Sequence, residues 1–409
     1  MTLQPMQGVR VLEVAQFTFT PSAAAILADW GAEVIKVEHA VTGDAQRGIK
    51  FGSGGVAQGS FHPLMEHSNR GKRSIGLALE VPEGRAVLDE IISRCDVFVT
   101  NFLPDSRARL RIDVEDVRSV NSGVIYARGT AHGTHGAEAA GGGYDRSTFW
   151  ARGGSAMGCT PPDSPRIIDM PSGAYGDSLG GLALASGISA ALFARERTGE
   201  PSVVDVSLLG IAAWASAMAI DNALLVGHAA RALPLGSSGA LPGNPTTGYF
   251  QTSDGRWIVL SILQPGRYWD DLCKHIGLDH LIGDERFDTG LKLIENGAEA
   301  GTAVATAFAA KPYAYWVEHL QTMQGQWAPV QDAFEVGHDP QIRANGIVRP
   351  VLDADGVERE LVANPVQYDQ TPPDLVRAPQ FAEHTDEILR ECGHDDDDII
   401  ALKIAGAVT

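Results

Sequence analysis

Positive charge is what this sequence has least of. It sets 32 Lys and Arg against 51 Asp and Glu, a formal net charge of −19. That balance excludes the basic face that nucleic-acid binding needs. Cysteine is scarce too: Cys95, Cys159, Cys273 and Cys392 lie far apart and form no metal-spaced pair. They read as reduced thiols of an intracellular protein, with no metal site expected. No apolar run reaches membrane-spanning length, and the start of the chain carries no basic-then-apolar leader. No membrane partner is therefore expected, and the predicted location is cytoplasmic. Missing also is a GxGxxG turn after the first strand, so a nicotinamide or flavin site has no support. In so acidic a chain, any anion must be held by a few locally placed Lys and Arg.

What is present suits a folded α/β protein: 44% apolar residues and 46 glycines in 409 positions. That length predicts two domains. Residues 9–14 read as an apolar strand, 21–30 as a helix closed by Gly31, and EVIKVE at 33–38 as a second strand. A β-α-β opening predicts a parallel sheet with right-handed crossovers. After it comes a long stretch with little periodicity, to Gly59, of the length that is usually functional or subunit-bridging. NRGKRSIGLAL then gathers Arg70, Lys72 and Arg73, with Arg47 earlier, which reads either as a solvated charged run or as a phosphate site. A helix is predicted over 82–94 and a buried strand over 96–100, ending at Asn101 and Phe102. Ligands of open α/β sheets bind outside the carboxyl ends of the strands, which makes that pair a candidate. Arg107 and Arg109 follow it. His132 and His135 lack partners at metal spacing and read as loop residues.

The organising stretch is 170–218. Asp177 stands in YGDSLGG at the head of a long small-residue helix. Helix-start amides favour a carboxylate, so Asp177 is expected to have a lowered pKa and to stay ionised. The same pattern fits an ordinary N-cap, but the surrounding glycines let a bulky ligand come close. Residues 200–206 read as a strand and 207–225 as a hydrophobic, core-like helix. Composition changes near Arg231, where a Gly-, Pro- and Ser-rich linker or flap precedes a hairpin turning at Ser253, Asp254 and Gly255. The predicted division is 1–230, a large α/β part; 231–330, a smaller α+β domain; and 331–409, a return to the first. The acidic run at 395–398 reads as a solvated helix start.

Taken in order, LADWGAEVIKVE, TGDAQRG, NRGKRSIGLAL, DVFVTNFLP, GGYD, YGDSLGG, SDGRW and FAEHTDEIL resemble the family III CoA-transferases, the CaiB/BaiF family. The resemblance covers nearly the whole chain. It implies a Rossmann-like parallel-sheet large domain built from both termini, a smaller central α+β domain, and an obligate interlocked homodimer. It also implies that no cofactor is tightly bound, with coenzyme A and acyl-CoA as substrates beside a carboxylic acid acceptor. The aspartate matching Asp177 would be the nucleophile, forming a mixed anhydride and then an aspartyl-CoA thioester. Gly176 and the flap glycines Gly236, Gly239 and Gly243 are expected oxyanion donors. Lys72, Arg73, Asn101, Phe102, Arg109 and His39 would bind CoA, and Thr18, Tyr144 and Asp145 would border the substrate.

There are departures from the family pattern. Thr18 lies where some transferases carry Gln, His39 where Arg or Pro is common, and Thr130 where oxalate-related members have a basic residue. They point away from formate or oxalate and towards a larger, more apolar acyl group. An α-methylacyl-CoA racemase of the same superfamily is the alternative. Racemases need a His in a G-H-D element as second acid–base group, and here those letters are Gly143, Tyr144 and Asp145. A non-catalytic acyl-CoA-binding paralogue is the alternative of another class.

Overall fold

The structure, a computed structural model, describes residues 3–49, 57–235, 239–241 and 243–409. Gly236 lies outside the described residues. The chain divides into two units: Met1–Cys159, Ile167–Ala230 and Pro340–Thr409 make the first, and Thr160–Arg166 with Arg231–Asp339 the second.

The first unit is built on six parallel strands: β1 (Arg10–Val14), β2 (Glu33–His39), β3 (Arg73–Leu77), β4 (Val97–Thr100), β5 (Ile125–Thr130) and β6 (Val203–Ser207). Their order is β3-β2-β1-β4-β5-β6, every pairing parallel. Around them run α1 (Phe19–Asp29), α2 (Pro63–Asn69), α3 (Pro82–Ile92), α4 (Pro104–Leu110), α5 (Val114–Val120), α6 (Ser155–Cys159), α7 (Tyr175–Thr198), α8 (Leu208–Ala215) and α9 (Ala217–Val226). Successive strand residues face opposite sides, so the apolar strands feed two cores. Leu12, Phe98 and Tyr126 pack on one side with Val87, Leu88 and Ile91 of α3. Val11, Val97, Val99 and Ile125 pack on the other with Leu27 of α1 and Leu184, Ala185 and Ile188 of α7. Both faces are covered, as a parallel sheet requires. Strand order reverses between β1 and β4, and the crevice at such a switch point is where ligands settle.

The last residues return to this unit. Ile388, Leu389, Ile399 and Val408 join the α3-side core, and Asp395 caps the helix Asp396–Ile404 by accepting from the Asp398 amide. A two-stranded hairpin, β11 (Val348–Leu352) with β12 (Glu358–Val362), precedes them. The second unit is a four-stranded antiparallel sheet of β7 (Ala240–Leu241), β8 (Asn244–Gln251), β9 (Trp257–Ser261) and β10 (Trp327–Pro329). It packs on helices through Phe250, Trp269, Leu272 and Phe308. Gly239 and Gly243 have backbone conformations of φ +86° and +79°. A Cβ on Gly239 would stand 2.0 Å from the Tyr249 carbonyl oxygen, so this close strand crossing needs glycine.

Two expectations fail here. First, α7 is by length and composition alone apolar enough to cross a membrane, yet it packs against α1 and the sheet. Small residues allow that approach: a Cβ at Gly181 would lie 2.5 Å from Ser22 Cβ and 3.1 Å from the Ala23 amide nitrogen. Second, the helix expected over 207–225 is two, α8 and α9, bent by 72°. It is not core-like either, since Trp214, Met218, Leu224 and Leu225 are 79–84% exposed. Periodicity identifies an apolar face but not what covers it.

Gly181→Ala is expected to destabilise the protein. The overpacking cost of about 1–3 kcal/mol exceeds the roughly 1 kcal/mol that Ala offers over Gly in a helix. A urea titration should show a lower midpoint at unchanged slope, with a smaller loss for Gly187→Ala, which meets only the end of the Val204 side chain.

Candidate active site

A cleft of about 1100 Å³ opens along the carboxyl ends of β1, β2, β4 and β5. Phe17 lines it from the β1–α1 connection, Phe19 from the start of α1, and His39 from the end of β2. Asn101 and Phe102 follow β4, and Arg109 stands on α4. Thr130 ends β5, and Tyr144 and Asp177 complete the wall. Asp177, His39, Asn101, Phe102, Arg109 and Tyr144 are thus brought together. Thr18, Asp145, Lys72 and Arg73 are not part of this wall.

Asp177 occupies the first turn of α7 and is half-buried. The expected lowered pKa is overturned: burial first, and then the Asp145 carboxylate, push it up to about 7. Asp145 is buried behind the wall, where its Oδ1 accepts from the Gly176 amide at 3.0 Å. That bond takes the Gly176 amide away from the oxyanion role expected of it. A Cβ on Gly176 would also lie 2.2 Å from the Phe149 ring, so this glycine serves close packing. Burial raises the Asp145 pKa too, against the pull of the helix-start amides. Asp145 itself opens a π-helical turn, Asp145–Arg152, the kind of local irregularity often found at functional sites.

His67 supports the helix start from the other side. Its Nε2 lies 2.9 Å from Ser178 Oγ, while that hydroxyl donates to the Ala174 carbonyl at 2.8 Å. With the Ser178 proton so committed, Nε2 must carry the hydrogen. Burial, and then Arg70, push the His67 pKa down to about 4, so the ring is neutral. Ala174, at φ 61°, is a non-glycine residue in the left-handed region.

The β1–α1 connection is clamped on both sides. Asn101 accepts from the Gln16 amide at 3.1 Å and donates to the Gln16 carbonyl at 2.6 Å. Its amide is therefore occupied with the chain, although it borders the cleft. Asp44 Oδ1 accepts from the Phe17 amide at 3.2 Å, and Oδ2 pairs with the buried Lys36 at 2.8 Å. Thr18 is buried and donates to Gln46 Oε1 at 2.7 Å, pinning the loop instead of meeting substrate.

The cations of the basic cluster are each paired with carboxylates of the chain. Lys72 is fully buried, donating to Glu13 at 2.5 Å and to the Pro21 and Ser68 carbonyls. Burial lowers its pKa to about 8 despite the Glu13 carboxylate. Arg73 pairs with Glu33, Glu387 and Glu391, Arg70 with Asp29 and Arg47 with Glu38. Buried cations are kept paired because an unpaired one is costly. His39 accepts from the Val41 and Thr42 amides through Nδ1 and lies 3.0 Å from Glu80 through Nε2. Arg109 is exposed at the cleft, and no ion pair is recorded for it among the described residues. Among those residues no group of three or more His, Cys, Asp or Glu is arranged to hold a metal ion.

Fold and cleft define an α/β protein with a ligand-sized cleft along the carboxyl edge of a parallel sheet and a carboxylate, Asp177, on its wall. The model of CoA-transferase family III matches residues 6–385, and the chain belongs to that family. It is an acyl-CoA-metabolising transferase of the CaiB/BaiF type, acting on coenzyme A thioesters as substrates. It is 27% identical to the (R)-2-hydroxy-4-methylpentanoate CoA-transferase of Clostridioides difficile, over 97% of this chain and 98% of that protein. It is 29% identical to the succinate–glutarate CoA-transferase of Agrobacterium fabrum, over 95% of each. A crystal structure of a CaiB/BaiF family protein from Brucella suis superposes with a TM-score of 0.81 at 26% identity, over 96% of this chain and all of that one.

The raised pKa of Asp177 has a consequence for stability. An unfolded aspartate titrates near 3.9, so between there and about 7 the folded state holds the extra proton, and rising pH costs stability that stays lost above 7. Asp177→Asn is therefore expected to raise Tm at pH 8, with the gain vanishing by pH 4. Thermal melts across that range check it, and a lower Tm at pH 8 would contradict it.

Proposed function

We propose that this protein moves CoA from an acyl-CoA to a carboxylic acid, with Asp177 as the covalent nucleophile. The carrying observation is a carboxylate at the head of α7, half-buried, facing a cleft large enough for an acyl-CoA. The Asp177 carboxylate attacks the thioester carbonyl, the C–S bond breaks, and a mixed anhydride and CoA thiolate result. The thiolate attacks the aspartyl carbonyl and expels the donor acid, leaving an aspartyl-CoA thioester. The acceptor carboxylate attacks that thioester, and the thiolate returns to the new acyl carbonyl. Each intermediate stays acyl-activated, which water would destroy. A pKa near 7 keeps a fraction of Asp177 ionised at neutral pH and makes it more basic than an ordinary aspartate.

For CoA itself, Arg109 offers a guanidinium at the cleft suited to bidentate phosphate contact, with Phe102 and His39 on the same wall. Supporting transfer over racemisation, the only histidine on the cleft wall among the described residues is His39, whose nitrogens face Glu80 and two backbone amides. The interlocked homodimer implied by the family finds support in the exposed apolar face of α8 and α9, which a second copy would cover. The two relatives differ in the acids their names carry at nearly equal identity, so kinship does not choose the substrate.

Hydroxylamine added during turnover should convert Asp177 to a hydroxamate found on its tryptic peptide. Asp177→Ala should abolish both the adduct and CoA exchange, a loss of at least about 10³-fold, the scale at which removing a reacting group acts. Exchange at full rate in the variant would refute the proposal.

A further inference from the structure

Among the described residues that line the cleft, Phe17 alone has its backbone in the left-handed region. Its backbone sits at φ 64°, a region where a bulky side chain is strained and which usually goes to glycine. The conformation is imposed from outside, through Asp44 on the Phe17 amide and Asn101 on both backbone groups of Gln16. Asp44 is in turn fixed by Lys36 and by donation from its own amide to Glu38. What the strain achieves is the position of one ring. Phe17 meets Tyr144 edge-to-face, ring centroids 5.4 Å apart at 83°. Tyr144 is 64% exposed, with nothing but that ring stacked on it among the recorded aromatic contacts. Immediately after it comes Asp145, bonded to the first turn of α7 that carries Asp177. The aromatic pair therefore stands beside the reacting carboxylate, with Phe19, Ala131 and Leu208 on the same wall.

The charges of the cleft point the same way. Arg107 and Arg128 line it but are committed to Asp113 and Asp205 at 3.1 and 2.7 Å. Arg109 lies close enough to Glu80 to affect its ionisation, placing that guanidinium towards the His39–Glu80 side. The ionisable group whose charge acts on Asp177 is another carboxylate, Asp145. A second carboxylate on the acyl group would meet negative charge and aromatic faces there, and of the cleft's arginines among the described residues only Arg109, on the His39–Glu80 side, is without an ion pair.

We infer that Phe17 and Tyr144 form an aromatic wall that determines acyl specificity, and that the acid transferred is an apolar, aryl-bearing monocarboxylic acid and not a dicarboxylic one. This rests on the proposed transferase reading of the same site. Aromatic surfaces of this kind favour offset or edge-on contact with a further ring, and the strain in Phe17 is the cost of presenting it.

The test compares 3-phenylpropanoyl-CoA, glutaryl-CoA and propanoyl-CoA as donors to the intact enzyme, with the corresponding free acids as acceptors. Wild type should favour the phenyl donor over glutaryl-CoA by at least about tenfold in kcat/KM, the scale of one well-made apolar contact. Phe17→Gly and Tyr144→Ala should each lower kcat/KM for the phenyl donor by about 10- to 100-fold. Propanoyl-CoA, which offers the pair no ring to pack on, should change less than about threefold, within the range of an unselective effect. Because glycine adopts positive φ freely, Phe17→Gly should keep Tm at or above the wild-type value, a combination that a merely structural role would not give. A wild-type preference for glutaryl-CoA, or an equal loss on all donors, would overturn the inference. Hydroxylamine trapping separates it from the reading beneath: an Asp177 adduct formed only with glutaryl-CoA sinks the aromatic wall alone, whereas no adduct with any donor sinks both.

Discussion

Two carboxylates meet at the head of α7, and the site depends on how they divide their surroundings. Asp145 takes the Gly176 amide and so ties the π-helical turn to the helix start. Asp177 is left half-buried in the first turn without that amide, and burial together with its neighbour raises its pKa to about 7. A helix-start carboxylate is ordinarily favoured by the free amides there. Here desolvation and like charge outweigh them. A carboxylate held so far above its ordinary pKa lowers stability at neutral pH.

A second constraint holds the opposite wall. Glu13, Lys36, Asp44 and Lys72 form a buried cluster of two carboxylates and two ammonium groups, the side chains of Glu13, Lys36 and Lys72 fully buried. Such clusters add little net stability, because desolvation offsets attraction. Their effect here is geometric. Through Asp44 the cluster fixes the β1–α1 connection at the switch point of the sheet, and Asn101 fixes it from β4. The close fit of α7 on α1 through Gly180 and Gly181 then sets how far Asp177 stands from that connection. The cleft, the place of Asp177 and the Phe17–Tyr144 pair are three results of the same packing.

Much of this was legible in the residues themselves. The β-α-β opening, the buried DVFVT strand and the glycine-flanked Asp177 each carry a local pattern that one physical rule decodes. The basic cluster was not, because sequence cannot distinguish a cation awaiting a phosphate from one already matched to a distant carboxylate. Arg73 meets Glu387 and Glu391 across more than 300 residues of chain. A lysine inside the apolar strand EVIKVE was the available clue that Lys36 has a buried partner. The pKa of Asp177 is beyond local pattern for the same reason, since Asp145 and the burial are both tertiary. Phe17 left no trace in the sequence at all: its strain comes from side chains that approach it only in the fold. For α8 and α9 the apolar pattern was visible, but whether core or partner covers it is not encoded in periodicity.

Oxygen bookkeeping tests the central claim most directly. With an acceptor acid carrying ¹⁸O in both carboxyl oxygens, a complete cycle through aspartyl anhydride and aspartyl thioester leaves one acceptor oxygen on the enzyme. Mass spectrometry of the peptide containing Asp177 after several turnovers should find that label on the Asp177 carboxylate and on no other. Continued CoA exchange with Asp177 unlabelled would contradict the account.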